Sequence, residues 1–556
     1  MRLRTGAANV RLLLRDLGVI ATGRRGDGKR RSVARAIADL RSYLLALRAQ
    51  ASGHRSLAAE RSERLLDAHP DLFWSLRIAM SSSSRRGEPS ATLAATRRLR
   101  QIADSAELRR RERDLVGRLR ETDPDWLPTI ASTSGAVDPS GPNVVMHLLK
   151  ASLPDRQSGY TIRSRETLRA QVGAGLEPFV VTPFGYPPPR SGATTPGIEL
   201  VDGIRHHRLQ PGAPTDALAL DEFLSRTATL AAEVARRERP AIIQATSGHR
   251  GYEYALVGAA LRGQLRRPLV YEVRGFLEAS WTSEAGIAET AEAAETTRRR
   301  YATEARVMAI ADGITTIGMA MRDELVARGV PAEKIVVVPN GVDPEAFQPT
   351  EPDPELRARY GLGDRWVFGY VSNMDHFREG HEVLIEATAR LVAAGRSVAC
   401  LLVGDGLLRA RLEARVTAAG LRSSVIFTGK VPYDQVRAHY ALLDAFVIAR
   451  VPDRAARFVT PLKPYEAMAI GLPLVVSDLP ALTEIAAPDE RGLAFPAGDS
   501  AALAATLERL IDQPRLSADL AAAGRAWVLA ERTWAANGVR YRDLYEAILE
   551  RFDRQA

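Results

Sequence analysis

Cysteine is almost absent from this chain of 556 residues; Cys400 is the only one. An intrachain disulfide is therefore impossible, and thiolate metal clusters are excluded. Cys400 lies in the apolar run Val398-Ala399-Cys400-Leu401-Leu402-Val403 and reads as a small core residue. Aromatic residues make up only 6% of the chain. No apolar stretch reaches the roughly 18 to 20 residues that a spanning helix needs. The basic N-terminus is not followed by an apolar segment with a cleavage site. The expectation is a cytoplasmic chain that at most lies peripherally on the inner face of the cell membrane. No cluster of His and carboxylate residues suggests a metal site, and no internal repeat is visible.

What is present is a globular composition, 46% hydrophobic and 26% charged, long enough for two or three cores. The net charge of +9 is unevenly spread: residues 1–120 carry 27 Lys and Arg against 12 Asp and Glu. The remainder is net acidic, so the basic excess belongs to one appendage. A nucleic-acid groove running over the whole protein is not expected.

Residues 1–140 read as a helical, basic extension with its linker. Val33, Ile37, Leu40, Leu44 and Leu47 recur at helical spacing, with Arg35, Arg41 and Arg48 off that stripe. A second pattern runs through Leu99, Ile102, Ala106, Leu115 and Leu119. Two readings stay open. One is a helical hairpin whose apolar stripes pack on each other or on the main body; the other is a basic amphipathic element lying on an anionic membrane surface through residues 1–130. The segments 81–86 and 131–142 are rich in Ser, Gly and Pro and read as linkers. Asp123-Pro124-Asp125 has the form of a metal-holding pair, but outside any strand it reads as a helix cap.

From about residue 141 short apolar runs alternate with helical stretches. Val144 to Leu149, Phe179 to Thr182, Ala241 to Gln244, Leu269 to Val273, Ile314 to Thr316 and Ile335 to Val338 form one series of strands. Val367 to Val371, Ala399 to Val403, Val425 to Phe427, Ala445 to Ile448, Leu474 to Val476 and Leu493 to Phe495 form another. The pattern predicts an α/β chain with two Rossmann-like, doubly wound parallel sheets, over 141–345 and 346–533. A last helix over 534–556 returns to the first of them. Two such sheets facing a cleft suit a reaction between two substrates from which water must be kept.

The most specific stretch is Thr460-Pro461-Leu462-Lys463-Pro464-Tyr465-Glu466-Ala467-Met468-Ala469, then Gly471-Leu472-Pro473-Leu474-Val475-Val476. A loop enters a helix there, and the N–H groups of a helix start can hold a phosphate. Lys463 and Glu466, three residues apart, share one side of the first turn. Lys463 suits a diphosphate, and Glu466 suits ribose hydroxyls. This stretch resembles family 4 of the retaining glycosyltransferases, which have the GT-B fold. Glu466 matches the second Glu of that family's signature; the first falls at Phe458, and Pro461, Lys463 and Glu466 fit a Pro-x-Lys-x-x-Glu variant instead.

Other pieces come in the family's order. Val338-Pro339-Asn340-Gly341-Val342-Asp343 resembles the turn between the two domains. Gly369 to Asn373 with Arg378-Glu379-Gly380 resembles the first strand and loop of the nucleotide domain; relatives carry a phosphate-binding Lys where this chain has Glu379, which makes Arg378 the substitute. Val403-Gly404-Asp405-Gly406 and Phe427 to Pro432 resemble the turn near the nucleotide and the loop that holds the base around Val431. In the first domain, Pro154 to Thr161 resembles a Gly-containing loop approaching the donor phosphate, and Tyr271 to Gly275 places Arg274 toward the cleft. The His-x-His positions of many relatives hold Gln244 and Thr246 here, with His249 and Arg250 a few residues on.

The resemblance implies retaining transfer of a sugar from a nucleoside diphosphate to a glycan or lipid-linked acceptor, in cell-envelope or extracellular glycan synthesis. It implies catalytic roles for His249, Lys463 and Arg378. It also implies donor binding by Ser158, Gly159, Arg274, Asn373, Gly404, Val431, Pro461, Leu462 and Glu466. No cofactor and no metal are expected, because positive side chains and helix dipoles serve the leaving diphosphate. Two other classes share the fold. A sugar-nucleotide epimerase or hydrolase needs converging acid–base carboxylates, which the sequence does not show. A glycosyltransferase-like binding protein without activity is left open by the missing first Glu and the displaced His.

Overall fold

The structure is a computed structural model and describes residues 7–22, 33–52, 54–131, 135–189, 196–248, 251–276 and 294–555. The chain divides into two compact units. One comprises residues 1–130 together with 214–228 and 284–306; the other holds 131–213, 229–283 and 307–556.

The first unit replaces the expected hairpin with six helices: α1 Ala7–Thr22, α2 Val33–Ala51, α3 Arg55–Ala68, α4 Phe73–Arg85, α5 Pro89–Ile102 and α6 Ala106–Glu121. They share a core of Ile20, Tyr43, Leu65, Phe73, Trp74 and Leu99. Asp16 of α1 is buried inside it. Its carboxylate accepts the Tyr43 hydroxyl at 2.7 Å and the backbone N–H groups of Phe73 and Trp74 at 2.9 and 3.0 Å. One side chain thus satisfies two of the orphan donors that start α4, whose N-cap Leu72 makes no side-chain cap.

The stripe expected for α2 is only partly the buried one. Tyr43, Ala46 and Ala49 face inward, whereas Ile37 and Leu44 are 62% and 51% exposed. A polar-tipped Tyr that finds an acceptor takes the core place that the aliphatics Ile37 and Leu44 were expected to fill. The supposed linker 81–86 is also corrected. Its serines belong to α4, with Ser82 and Ser83 buried and the Ser83 hydroxyl 2.9 Å from that of Thr92. Tertiary packing overrides their weak helix propensity. Asp123 caps no helix start; it lies just after α6 and accepts the N–H of Asp125 at 3.1 Å.

Two later segments complete this unit. The Arg120 guanidinium meets Asp221 at 3.3 Å, and a Cβ on Gly117 would stand 2.6 Å from the same carboxylate. Glu295 accepts the N–H of Ser90, and Arg306 donates to the carbonyls of Pro124 and Trp126 at 2.7 and 2.8 Å.

The second unit contains two sheets. The first is built from β1 Val144–Leu148, β2 Glu177–Thr182, β3 Ile198–Val201, β4 Ile204–Arg208, β5 Ile242–Thr246, β6 Leu269–Val273, β7 Gly313–Thr316 and β8 Ile335–Val337. Its order is β3-β4-β2-β1-β5-β6-β7-β8, parallel except for the β3–β4 hairpin. That hairpin went unseen in the sequence, because Ile204-Arg205-His206-His207-Arg208 does not read as a strand. Arg208 is buried there against Glu199 at 2.6 Å.

The second sheet uses β9 Trp366–Val371, β10 Val398–Val403, β11 Val425–Gly429, β12 Ala445–Ile448, β13 Leu474–Ser477 and β14 Leu493–Phe495. All are parallel, in the order β11-β10-β9-β12-β13-β14. Cys400 is buried in β10. Among the parallel strands of each sheet the order reverses once, between β1 and β5 and between β9 and β12. A crevice outside the carboxyl ends opens at such a point, where successive crossovers leave to opposite faces.

The chain crosses between the halves twice. It passes from β8 through Val338 to Asp343, and it returns into a helix over Trp534–Gln555. The crossings are joined by the Val342 N–H to the Arg532 carbonyl at 2.9 Å and the Trp534 N–H to the Val342 carbonyl at 3.2 Å. The returning helix packs on helix α7 (Gly159–Gly173), where a Cβ on Gly538 would stand 2.1 Å from the Ala170 carbonyl. Its Tyr541, Tyr545 and Ile548 join the core of the first sheet.

Candidate active site

A cavity of about 390 Å³ lies at both reversal points. The first half contributes Lys150 after β1, Gly159, Tyr160 and Arg163 at the start of α7, Ser247 and Gly248 after β5, and Arg274 after β6. The second half contributes Arg378 after β9, Arg450 after β12, and the loop from Val459 to Leu462. Among the described residues no carboxylate lines this space, and no group of three His, Cys, Asp or Glu side chains could hold a metal ion.

The first wall is organised by Glu272, which is fully buried in β6. It accepts Arg163 through Nε and Nη2 at 3.1 and 3.0 Å, Arg274 Nη2 at 2.8 Å, Gln244 Nε2 at 3.1 Å and the Tyr541 hydroxyl at 3.1 Å. Burial pushes this carboxyl up, but Arg274 and Arg163 outweigh it and hold Glu272 far below the usual carboxylate range. Arg163 then reaches the carbonyls of Val338 and Pro339 and the amide of Asn340, at 2.7 to 3.0 Å. Arg274 reaches the Tyr160 carbonyl at 3.2 Å and the Ser164 hydroxyl at 2.8 Å. Gln244, at one of the family's His positions, therefore serves this network, and it also takes the Tyr545 hydroxyl. Lys150 lies over the Tyr160 ring, 4.6 Å from its centroid. Burial, with Arg156 and Arg274 nearby, brings its ammonium down to about 8.

The start of α7 is dictated by local sequence. Ser158 and Thr161 form a reciprocal capping box, with the Ser158 N–H on the Thr161 hydroxyl at 2.8 Å. Gly159 then faces the opposite wall; a Cβ there would stand 3.7 Å from Leu462.

The second wall turns on Gly380. Its φ of 73° is left-handed, and a Cβ would stand 1.7 Å from the Ala449 carbonyl, so only glycine lets this loop touch the end of β12. The contact sets Glu379 against Arg450, at 3.2 Å from Nε and 3.3 Å from Nη2. The Tyr370 hydroxyl also donates to Glu379. Burial raises this carboxyl, yet Arg450 above all holds it below its ordinary value. Arg378 points nearby with its Nη1 buried and without a hydrogen-bond partner.

The expected site residues fall into groups. Gly159, Arg274, Arg378, Pro461 and Leu462 line the cavity. Ser158 acts one step behind, as the cap of α7. Lys463 and Glu466 open the helix Lys463–Ile470 but are not lining groups. The Lys463 ammonium is 3.6 Å from Glu466, which also accepts the Tyr440 hydroxyl at 2.8 Å. Asn373, Gly404 and Val431 come just after the neighbouring strands β9, β10 and β11. Gly404 is pinned there, since its φ is 140° and a Cβ would stand 1.9 Å from the Ser372 carbonyl. His249 and Arg250 lie outside the described residues. Phe458, where the first Glu of the signature would stand, packs edge-to-face on Phe276 with ring centroids 5.8 Å apart.

Lys150, Arg163 and Arg450 were not anticipated. Lys150 and Arg450 each sit two residues past the end of a parallel strand at a reversal point, a signal that was available in the sequence. Glu484 accepts the Ala320 N–H at 2.8 Å, and Asn340 donates to the Thr460 carbonyl at 2.9 Å. Both bonds join the two halves.

Comparison with known proteins agrees with this architecture. The family model described as "Glycosyl transferases group 1" matches residues 365–513, and that described as "Glycosyl transferase 4-like domain" matches residues 158–341. The chain is 32% identical over 225 residues to 2-deoxystreptamine glucosyltransferase of Streptomyces kanamyceticus, covering 40% of this chain and 57% of that protein. It is 30% identical over 240 residues to the GDP-mannose-dependent alpha-(1-6)-phosphatidylinositol monomannoside mannosyltransferase of Mycolicibacterium smegmatis, covering 42% and 62%. The chain thus spans about six-tenths of the length of these curated relatives. Among solved structures, sucrose-phosphate synthase of Thermosynechococcus elongatus matches with a TM-score of 0.60 at 22% identity, covering 74% of this chain and all of that one. Anabaena HepE in complex with UDP matches with a TM-score of 0.55 at 18% identity, covering 72% and 99%. These two likenesses concern the fold, which is GT-B with added N-terminal helices.

Proposed function

The chain belongs to the group 1 glycosyltransferases, and on that premise we propose that it moves a sugar from a nucleoside diphosphate to a glycan or lipid-linked acceptor, with retention at the anomeric carbon. The observation that carries this reading is the cavity at both reversal points, lined by cations from both halves and, among the described residues, by no carboxylate. A leaving diphosphate needs fixed positive charge where its own charge develops. Arg378 at the cavity supplies it, with the backbone N–H groups of Leu462 and Lys463 and the Lys463 ammonium at the adjoining helix start, so transfer should persist in a chelator. Departure and attack on one face need no enzyme carboxylate as nucleophile. Epimerisation or hydrolysis by paired carboxylates does need them, and is disfavoured. Nucleotide release from UDP-, GDP- and dTDP-sugars tests the proposal; no release and no thermal shift with every sugar nucleotide would overturn it. The anomeric configuration of the product, read by NMR, tests retention.

The acceptor reading is a cell-envelope or extracellular glycan built at the inner membrane face. A relative named for a phosphatidylinositol mannoside substrate supports it. The basic charge of residues 1–120 supports it too, as does the outward stripe Ile37, Arg41, Leu44 and Arg48 on α2. No helix among the described residues is long and apolar enough to cross a membrane. Salt-sensitive binding to anionic vesicles should disappear in an Ile37→Ser/Leu44→Ser variant; binding unchanged from wild type would refute the membrane role.

A further inference from the structure

The family resemblance implies a phosphate-binding lysine before the glycine of the β9 loop, and this chain holds Glu379 there. Glu379 offers nothing to the cavity, because its two oxygens are taken by Arg450 and the Tyr370 hydroxyl. Its effect is felt on the other side of the reversal point. The pair is side-on, with Arg450 Nε and Nη2 on the two oxygens of one carboxylate, and Arg450 Nη1 donates to the Val459 carbonyl at 2.8 Å. Three of its five N–H groups are thus fixed by the loop on one flank and the approach to Pro461 on the other. Arg450, 8% exposed, is held among the cavity-lining groups, beside Arg378 with its unpartnered Nη1.

We propose that Arg450 is a second ligand of the donor diphosphate, and that Glu379 has become its positioning residue. The loop position has exchanged its positive charge for a negative one, and the cation is supplied instead by the strand end opposite. A planar fork held rigidly at the reversal point suits two phosphate oxygens better than a mobile ammonium. This assignment rests on the function proposed above.

The test titrates the full chain calorimetrically with UDP, GDP, ADP and dTDP and tracks the tightest of them. Replacing a buried ion pair by neutral residues of similar volume is tolerated by folds, so Glu379→Gln/Arg450→Met keeps the fold while removing the cation. Loss of a charge-assisted contact predicts nucleoside diphosphate binding weaker by about tenfold or more, with the parent nucleoside bound as before. The exchange Glu379→Lys/Arg450→Glu, which returns the cation to the loop, should recover most of that loss. Arg450→Lys keeps charge and fold but not the fork, and should weaken the diphosphate by a few-fold. A folded neutral variant, or an Arg450→Lys variant, with wild-type affinity overturns the assignment alone. A wild-type chain that binds none of the four nucleotides overturns both it and the function on which it rests.

Discussion

The two walls of the cavity use one device in two ways. Each has a carboxylate holding an arginine at the rim: fully buried Glu272 with Arg274, and partly buried Glu379 with Arg450. Glu272 is over-satisfied, with two guanidiniums, an amide and a tyrosine converging on it from α7, the end of β6, β5 and the returning helix. Glu379 hydrogen-bonds one arginine and one tyrosine, with Arg378 Nε a further 3.9 Å away and the Arg378 Nη1 unused. The difference separates a junction that fixes the backbone from a mount that leaves donors for a ligand.

The comparison can be broken most sharply at Glu272. Glu272→Ala leaves two guanidiniums buried without their anion and should cost about 3 to 5 kcal/mol of stability, read by urea unfolding. An unfolding midpoint equal to wild type would erase the distinction between the walls. Arg378→Ala is the mirror experiment. It should lower kcat/KM by about a hundredfold with little change in melting temperature, because its guanidinium meets the leaving group rather than the fold. A variant that melts early and turns over normally would reverse the assignment.

Lys463→Ala is expected to be milder, about tenfold in kcat/KM, since that ammonium is partly exposed and already beside Glu466. Nucleotide release equal to wild type would remove Lys463 from the leaving-group machinery. The smallest effect is on pH. With Lys150 near 8, its ammonium meets an anionic sugar nucleotide below that pH and is lost above it. The free enzyme's kcat/KM should fall as pH rises through about 8, and Lys150→Met should flatten that limb. Stability should move the other way. Between about 8 and the ordinary 10.5 the folded chain binds fewer protons here than the unfolded one, so the contribution of Lys150 to stability rises with pH.

The strands of both sheets were legible because buried parallel strands are short apolar runs between helical segments. The β3–β4 hairpin was not, because its strands are half polar and their charges are met by tertiary partners, Arg208 by Glu199 and Arg205 by Glu238. The six-helix unit was misread for a related reason. Its core depends on Tyr43 meeting Asp16 and on two later segments docking through Asp221 and Glu295, and no local period records such pairings. At the cavity, motif likeness pointed to Arg274, Arg378 and the Pro461 loop. It passed over Lys150 and Arg450, which carry no motif and betray themselves only by their place just past the ends of the central strands β1 and β12.

The doubled crossing between the halves has a mechanical consequence. A single connecting peptide would let one half swivel and twist freely against the other. Here two adjacent spans, bonded through Val342, Arg532 and Trp534, act as a pair of pins on one edge. Any opening of the cleft must flex both together, which removes twisting and leaves rotation about one axis. The arginines of the two walls would then part and meet along a fixed path, in the same alignment at every closure.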